Sequence, residues 1–349
     1  MLVTRSGGAR HGVLCTLGVA LLALAACRSP MPGDRHRRAP ARPVSVSTGR
    51  TSAHPTHSRP APPSDPAPSS HAAPTSRPPV HPVVLKARTL PRGGRQIFPR
   101  FRVVAYYGVP GNPQLGVLGA GTPEQAARAV QRQAARYAGF GRPVLPAMEL
   151  IATVAQASPG PDGNYSAPIP AASIRSYLRV AHSHRMLLIL DIQPGSSEFL
   201  PEVKALRPFL LDPSVGVALD PEWKVPPGQA PADGRIGSAS AASVNAVGRY
   251  LSHLVRAHHL PDKLLVVHEF THTMLPDRDD IRPQPGLEIT LHADGLGSPR
   301  LKRVVFHQLD FARTPFHVGF KVFFTHDTRV MSPREVMALR PRPDIVTYQ

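Results

Sequence analysis

Cysteine is nearly absent from this 349-residue chain: Cys15 and Cys27 are the only two. No disulfide framework can therefore form downstream of residue 27, and a domain exported without thiols must rest on its own packed core. Tryptophan occurs once, as Trp223. Acidic residues are few, with 23 Asp and Glu against 41 Lys and Arg, a formal net charge of +18. The apolar run Val13–Ala26 falls short of the ~20 residues that a membrane-spanning helix needs. No G-x-G-x-x-G follows the first strand-like run, so the simplest dinucleotide signature is missing.

What is present at the N-terminus is ordered like a secretory signal: Arg5 and Arg10, the short apolar run, then small residues before Cys27. Leu24-Ala25-Ala26-Cys27 resembles the lipobox of bacterial lipoproteins. That resemblance implies removal of residues 1–26 as a signal peptide and diacylation of Cys27. It further implies a cell-membrane protein, lipid-anchored and facing the extracytoplasmic side. The competing reading is an ordinary cleaved signal with an incidental cysteine.

Residues 27–97 have a different composition. Fifteen prolines lie between Pro30 and Pro91, among Ser, Ala, His and Arg, and aromatic residues are absent from 28–95. Such a stretch buries too little apolar surface to offset the entropy of ordering, so it is expected to be a disordered tether. Extended as polyproline at ~3.1 Å per residue, it would reach on the order of 200 Å. Residues 1–97 hold 14 basic and 2 acidic residues, which places most of the excess charge outside the C-terminal part. A basic segment beside a lipid anchor suits anionic lipid or a polyanionic wall polymer. No nucleic-acid partner is expected, because the C-terminal part lacks a basic–aromatic motif.

Residues 98–349 alternate between strand-like and helix-like segments. Eight β-branched, apolar runs stand at Arg102–Tyr107, Val144–Ile151, Met186–Ile192, Val215–Leu219, Lys263–Phe270, Leu287–His292, Gly319–Thr325 and Asp344–Tyr348. Thr122-Pro123-Glu124-Gln125 and Ser332-Pro333-Arg334-Glu335 each combine an N-cap, proline at the first helical position and a capping-box residue. Ala171–His182 and Ser240–Ala257 carry helical periodicity, and a short helix is expected between the fifth and sixth runs. Eight such units in ~250 residues predict an α/β fold, a (β/α)8 TIM-like barrel, over an open doubly wound sheet.

In such a barrel function gathers at the C-terminal strand ends. Alternation puts Gly216, Ala218, Asp220 and Glu222 on one face of the fourth run, small residues leading to two carboxylates. The same alternation brings Glu149, Asp191 with Gln193, and the series Glu288, Thr290, His292 and Asp294 toward a common end. It does the same for Lys321, Phe323, Thr325 and Asp327. The expectation is a strongly acidic mouth in which crowded carboxylates push one another's pKa apart, as acid/base work requires. For any single acid, a helix cap or loop anchor is the plainer role.

Gly216–Trp223 resembles the strand-four end of family 18-type glycoside hydrolases, where D-x-x-D-x-D-x-E closes on a catalytic glutamate. Asp220 and Glu222 match the last two positions, whereas Val215 and Ala218 stand where that family has Asp. More widely, residues 98–349 resemble actinobacterial envelope lipoproteins with a hydrolase-like barrel. The resemblance implies a glycan-directed domain with Glu222 as general acid and Asp220 orienting it. Asp191 or Asp294 would be a second carboxylate, and Trp223 with Tyr106 or Tyr107 would stack on a sugar. Substrate-binding roles would extend to Glu149, His292, Asp294 and Asp327.

Two alternatives remain at this stage. One is a non-catalytic envelope module whose acidic mouth binds glycan, peptide or metal. The other is a zinc metallopeptidase, since His268-Glu269-Phe270-Thr271-His272 satisfies H-E-x-x-H, with Glu269 as base. That motif needs a helix, yet Lys263–Val267 reads as a strand and Pro276 follows closely. On a strand, residues four apart are separated by ~13 Å and cannot share one ion. The strand reading therefore favours no metal and no cofactor.

Overall fold

Eight parallel strands close into a ring in the computed structural model, which describes residues 88–231 and 234–349. The expected signal peptide, the Cys27 lipid site and the tether up to residue 87 lie outside the described residues. The strands are β1 (Arg102–Gly108), β2 (Val144–Ala155), β4 (Leu187–Ile192), β5 (Val215–Leu219), β6 (Lys263–Glu269), β7 (Leu287–Ala293), β8 (His317–Val322) and β9 (Ile345–Tyr348). Each pairs in parallel with its neighbours, and β1 pairs with both β2 and β9, so the ring has no open edge. A short β3 (Ser166–Pro168) adds antiparallel to the end of β2.

Helices α1 (Pro123–Ala135), α2 (Ala171–Ser183), α3 (Phe199–Ala205), α4 (Arg207–Leu210), α5 (Ala241–Ala257), α6 (Pro299–Gln308) and α7 (Pro333–Met337) alternate with the strands. The capping boxes at Thr122/Gln125 and Ser332/Glu335 both form and start α1 and α7. Strand alternation then sorts the side chains. Val104, Met148, Leu190, Val217, Leu265, Leu291 and Phe320 point outward into the layer shared with the helices. Val103, Ala105, Leu145, Ala147, Leu187, Ile189, Ala218, Leu264, Val266 and Ile345 fill the lower interior.

The floor of the ring corrects the expected domain boundary. Residues 88–97 belong to the fold: Leu90 and Ile97 are buried with Phe98 and Phe101 against the lower interior. Arg92 and Arg95 tie this segment to carbonyls at Val144 and Leu260, near the starts of two strands. Proline and arginine content is no bar to order where a strand end supplies acceptors.

Two further expectations are corrected. No α-helix lies between β6 and β7; the Pro-rich link makes two single 3-10 turns, His272–Met274 and Arg278–Asp280. Strand β8 covers His317–Val322 rather than Gly319–Thr325, so Phe323, Thr325 and Asp327 lie beyond its end. Helices α3, α4 and α6 were not anticipated. Among the described residues, no helix is long and apolar enough to cross a membrane.

Candidate active site

At the C-terminal end, every strand of the ring contributes one polar side chain to the same inner layer. They are Tyr107 from β1, Glu149 from β2, Asp191 from β4 and Asp220 just past β5. His268 comes from β6, His292 from β7, Lys321 from β8 and Thr347 from β9. All eight are buried. Below them the interior is apolar, so their charges cannot be screened by water and must be met by one another.

His268 is the hub. Its Nδ1 lies 2.9 Å from Asp294 Oδ2, and its Nε2 lies 3.0 Å from Glu149 Oε1 and 3.4 Å from Asp191 Oδ2. Burial would favour neutral imidazole, but the charge of Asp294 and bonds to three carboxylates hold the histidine pKa well above its ordinary value. Lys321 Nζ donates to Asp294 Oδ2 at 2.9 Å and sits 3.8 Å above the centre of the Tyr107 ring. Burial would lower the lysine pKa, yet Asp294, Asp220 and Glu149 raise it.

The carboxylates divide accordingly. Asp294 is buried, but His268, Lys321 and His292 hold its pKa well below the usual range. Glu149 is also held low against burial, by His268 and then by His292 and Lys321, and it accepts a bond from Thr347 Oγ1 at 2.9 Å. Burial and neighbouring acids push Asp220 well above the usual value, and burial likewise raises Asp191. His268 and Lys321 thus stand among four carboxyl groups, of which Asp294 and Glu149 are held low and Asp220 and Asp191 are raised. The acidic mouth expected from the carboxylates also contains two basic groups, because His268 and Lys321 lie among them.

Glu222 stands apart from this locked set. It occupies the 3-10 turn Pro221–Trp223 that follows β5 and is partly open to solvent, as is Trp223 beside it. Burial raises its pKa to about 7, a rise that Lys321 opposes and Asp294 assists. No described residue donates a hydrogen bond to its carboxyl group, so its proton is free to be given away. The turn is fixed by Gly237, whose N–H donates to the Glu222 carbonyl at 2.7 Å. A Cβ at Gly237 would overlap the carbonyls of Pro221, Glu222 and Lys224. That glycine is part of the site in a way its surrounding sequence does not reveal.

Several expected participants are placed elsewhere. Tyr106 faces outward against Phe324 and Tyr348. Tyr107 is inward, but Lys321 covers its ring and its hydroxyl is bonded to Asp191 and Gln193, so it is no open platform for a sugar. Glu288 points inward at the opposite end, paired with His317 at 3.1 Å. Asp327 is bound by Lys302 Nζ at 3.0 Å and by the N–H groups of Gly297 and Phe323, which makes it an anchor for the loops rather than a ligand group.

The zinc reading fails on geometry. Residues 263–269 are strand, so His268 points into the ring while His272 opens a surface turn and donates from Nε2 to the Gln308 carbonyl at 2.7 Å. Glu269 is buried against Arg278 Nη1 at 3.1 Å, and burial raises its pKa to about 7. Two other groupings, His268 with His292 and Asp294, and His268 with Glu149 and Asp191, bring donor atoms within 4.8 Å of one another. Both depend on His268, which Glu149, Asp191 and Asp294 already surround.

Strand alternation places Lys321 on the inward face, and the strand reading of 263–267 brings His268 into the mouth, but neither pattern shows the ion pairs they make there. Strand alternation points to His292, and the structure adds that its ring packs against Gly319 of β8, where a Cβ would overlap it. His292 Nδ1 lies 2.6 Å from Asp294 Oδ1, burial lowers its pKa against the pull of Asp294, and its buried Nε2 has no hydrogen-bond partner among the described residues. Fold and mouth together define a closed (β/α)8 barrel whose C-terminal strand ends form one polar layer of mixed charge. Comparison of the chain with protein-family models and with curated proteins finds no match.

Proposed function

We propose that this barrel is a carbohydrate-directed hydrolase of the bacterial envelope, attached through Cys27, with Glu222 as its general acid. One arrangement carries the reading: at the rim of the mouth burial raises the Glu222 pKa to about 7 and no described residue hydrogen-bonds its carboxyl group, beside a network that holds the Asp294 pKa well below the usual range. Paired acids whose environments separate their pKa values are what glycosidic cleavage needs. Glu222 protonates the leaving oxygen. Asp294, ionised and less enclosed than Asp191, stabilises positive charge on the sugar or activates water. Asp220 positions Glu222 from the end of β5, and Trp223 offers an apolar face for a sugar ring.

The second reading is a glycan-binding module without turnover. It is favoured by how fully His268 is locked between three carboxylates. Release of reducing ends from cell-wall glycan and soluble polysaccharides separates the two. Glu222→Gln is expected to lower turnover by about 10²- to 10⁴-fold with unchanged thermal unfolding. Equal turnover in the variant and the wild type removes Glu222 from the mechanism. Saturable glycan binding without turnover in either protein supports the binding module.

A further inference from the structure

The end of the barrel opposite the mouth carries a second concentration of charge, independent of the hydrolase reading. Below the first residues of β1, β2 and β9, Arg102, Arg142, Arg340 and Arg342 line a cavity of about 590 Å³ with Phe140, Gly141 and Asp344. Asp344 is the one acid of that lining, and it is already shared between Arg142 and His317 Nδ1, the latter at 3.1 Å. Arg102 is 1% exposed and donates only to neutral carbonyls, Pro343 at 3.3 Å and Phe140 at 3.2 Å. Arg340 Nη1 is bonded to the carbonyls of Met337, Ala338 and Leu339 at the end of α7. Arg342 is exposed, and no described residue accepts a hydrogen bond from it.

Four guanidinium groups therefore meet one already-committed carboxylate. Burial, then the charges of Arg142 and Arg342, push the Arg102 pKa down to about 10, and Asp344 opposes the fall only in part. A buried cation without its own counter-charge is costly, and the arrangement persists only if something offsets it. A single carboxylate ligand would neutralise one charge. A phosphate group offers more negative charge and three acceptor oxygens, which suits the forked donors of several arginines.

We propose that this arginine-lined cavity binds a phosphate-type oxyanion. The same chemistry comes from a phospholipid headgroup or from free phosphate, and the two sources are distinguishable. Residues 88–101 run across this end of the ring, so the chain leads into the fold here.

Thermal unfolding of the full-length chain in phosphate, against chloride at matched ionic strength, is the first measurement. Occupancy of the cavity raises Tm by about 3 °C, and the rise saturates. Arg342→Gln, which loses no hydrogen bond to the described residues, keeps the wild-type Tm in chloride and loses at least half of the phosphate effect. Arg342→Lys gives an intermediate shift, because it keeps the charge without the fork. Arg313→Gln, an exposed arginine elsewhere that pairs with Asp310, keeps the full shift.

Calorimetric titration of the wild type with inorganic phosphate reads the site without any variant, and one saturable event is expected. Absence of saturable heat, or an equal phosphate shift in wild type and Arg342→Gln, overturns the proposal. Binding to phosphatidylglycerol vesicles, with phosphatidylcholine vesicles as control, then identifies the source. A several-fold loss in Arg342→Gln assigns a headgroup, and equal vesicle binding by both proteins assigns free phosphate.

Discussion

At the scale of single residues, the mouth works by pairing groups whose pKa values move in opposite directions. Glu222 must be protonated to donate, and its pKa stands at about 7, so turnover should fall as pH rises through that value. A pH–rate profile flat between pH 5 and 9 would leave Glu222 without an acid role. His268 poses the converse case. Its imidazolium is the shared partner of Glu149, Asp191 and Asp294, all buried. Replacement by Asn is expected to cost about 3–5 kcal/mol in denaturant unfolding, because it strands ionised carboxylates in an apolar interior. The sign follows from the raised pKa. The contribution of His268 is complete below the unfolded value of about 6.5 and is lost as pH rises through the folded one. The gap between wild type and His268→Asn should therefore narrow at high pH.

At the scale of elements, the capping boxes and strand alternation were readable directly. Thr122-Pro123-Glu124-Gln125 starts α1 and Ser332-Pro333-Arg334-Glu335 starts α7, because the hydrogen bonds involved span only three residues. Helix α6 was hidden: its first turn has Ser298 as N-cap and Pro299, but no capping-box acid follows, and its sequence is strongly basic. The bounds expected for β8 lay two residues late at its start and three at its end, since Phe323 and Phe324 extend the apolar pattern past the last paired residue. That strand also carries the tightest contact in the site. Gly319→Ala should destabilise the fold by about 1–3 kcal/mol, because the new methyl overlaps the His292 ring and Ile345. Thermal unfolding reads this, and an unchanged Tm would mean that the His292 ring has room to move.

At the scale of the molecule, closure depends on β9, the last strand, lying between β8 and β1. Tyr348 joins it to the turn that follows α1 by a 2.6 Å bond between its hydroxyl and that of Tyr137. Stopping the chain after Arg342 should abolish a single cooperative unfolding transition, because both β1 and β8 then present unpaired edges. Circular dichroism melting checks this, and a sharp transition in the shortened chain would show that seven strands suffice.

Local pattern alone determined eight strands, their order, the inward face of each and most of the polar residues at their ends. Those properties follow from a period of two and from short-range caps, which neighbouring residues settle among themselves. Only the closed ring decided that Glu149, Asp191, His268, Asp294 and Lys321 share one buried network. It also decided that Asp327 and Glu288 do not join that network, and that the arginines at 102, 142, 340 and 342 surround one cavity. Such contacts join residues up to about 240 positions apart. Their energies depend on a low-dielectric interior that exists only once the barrel has formed.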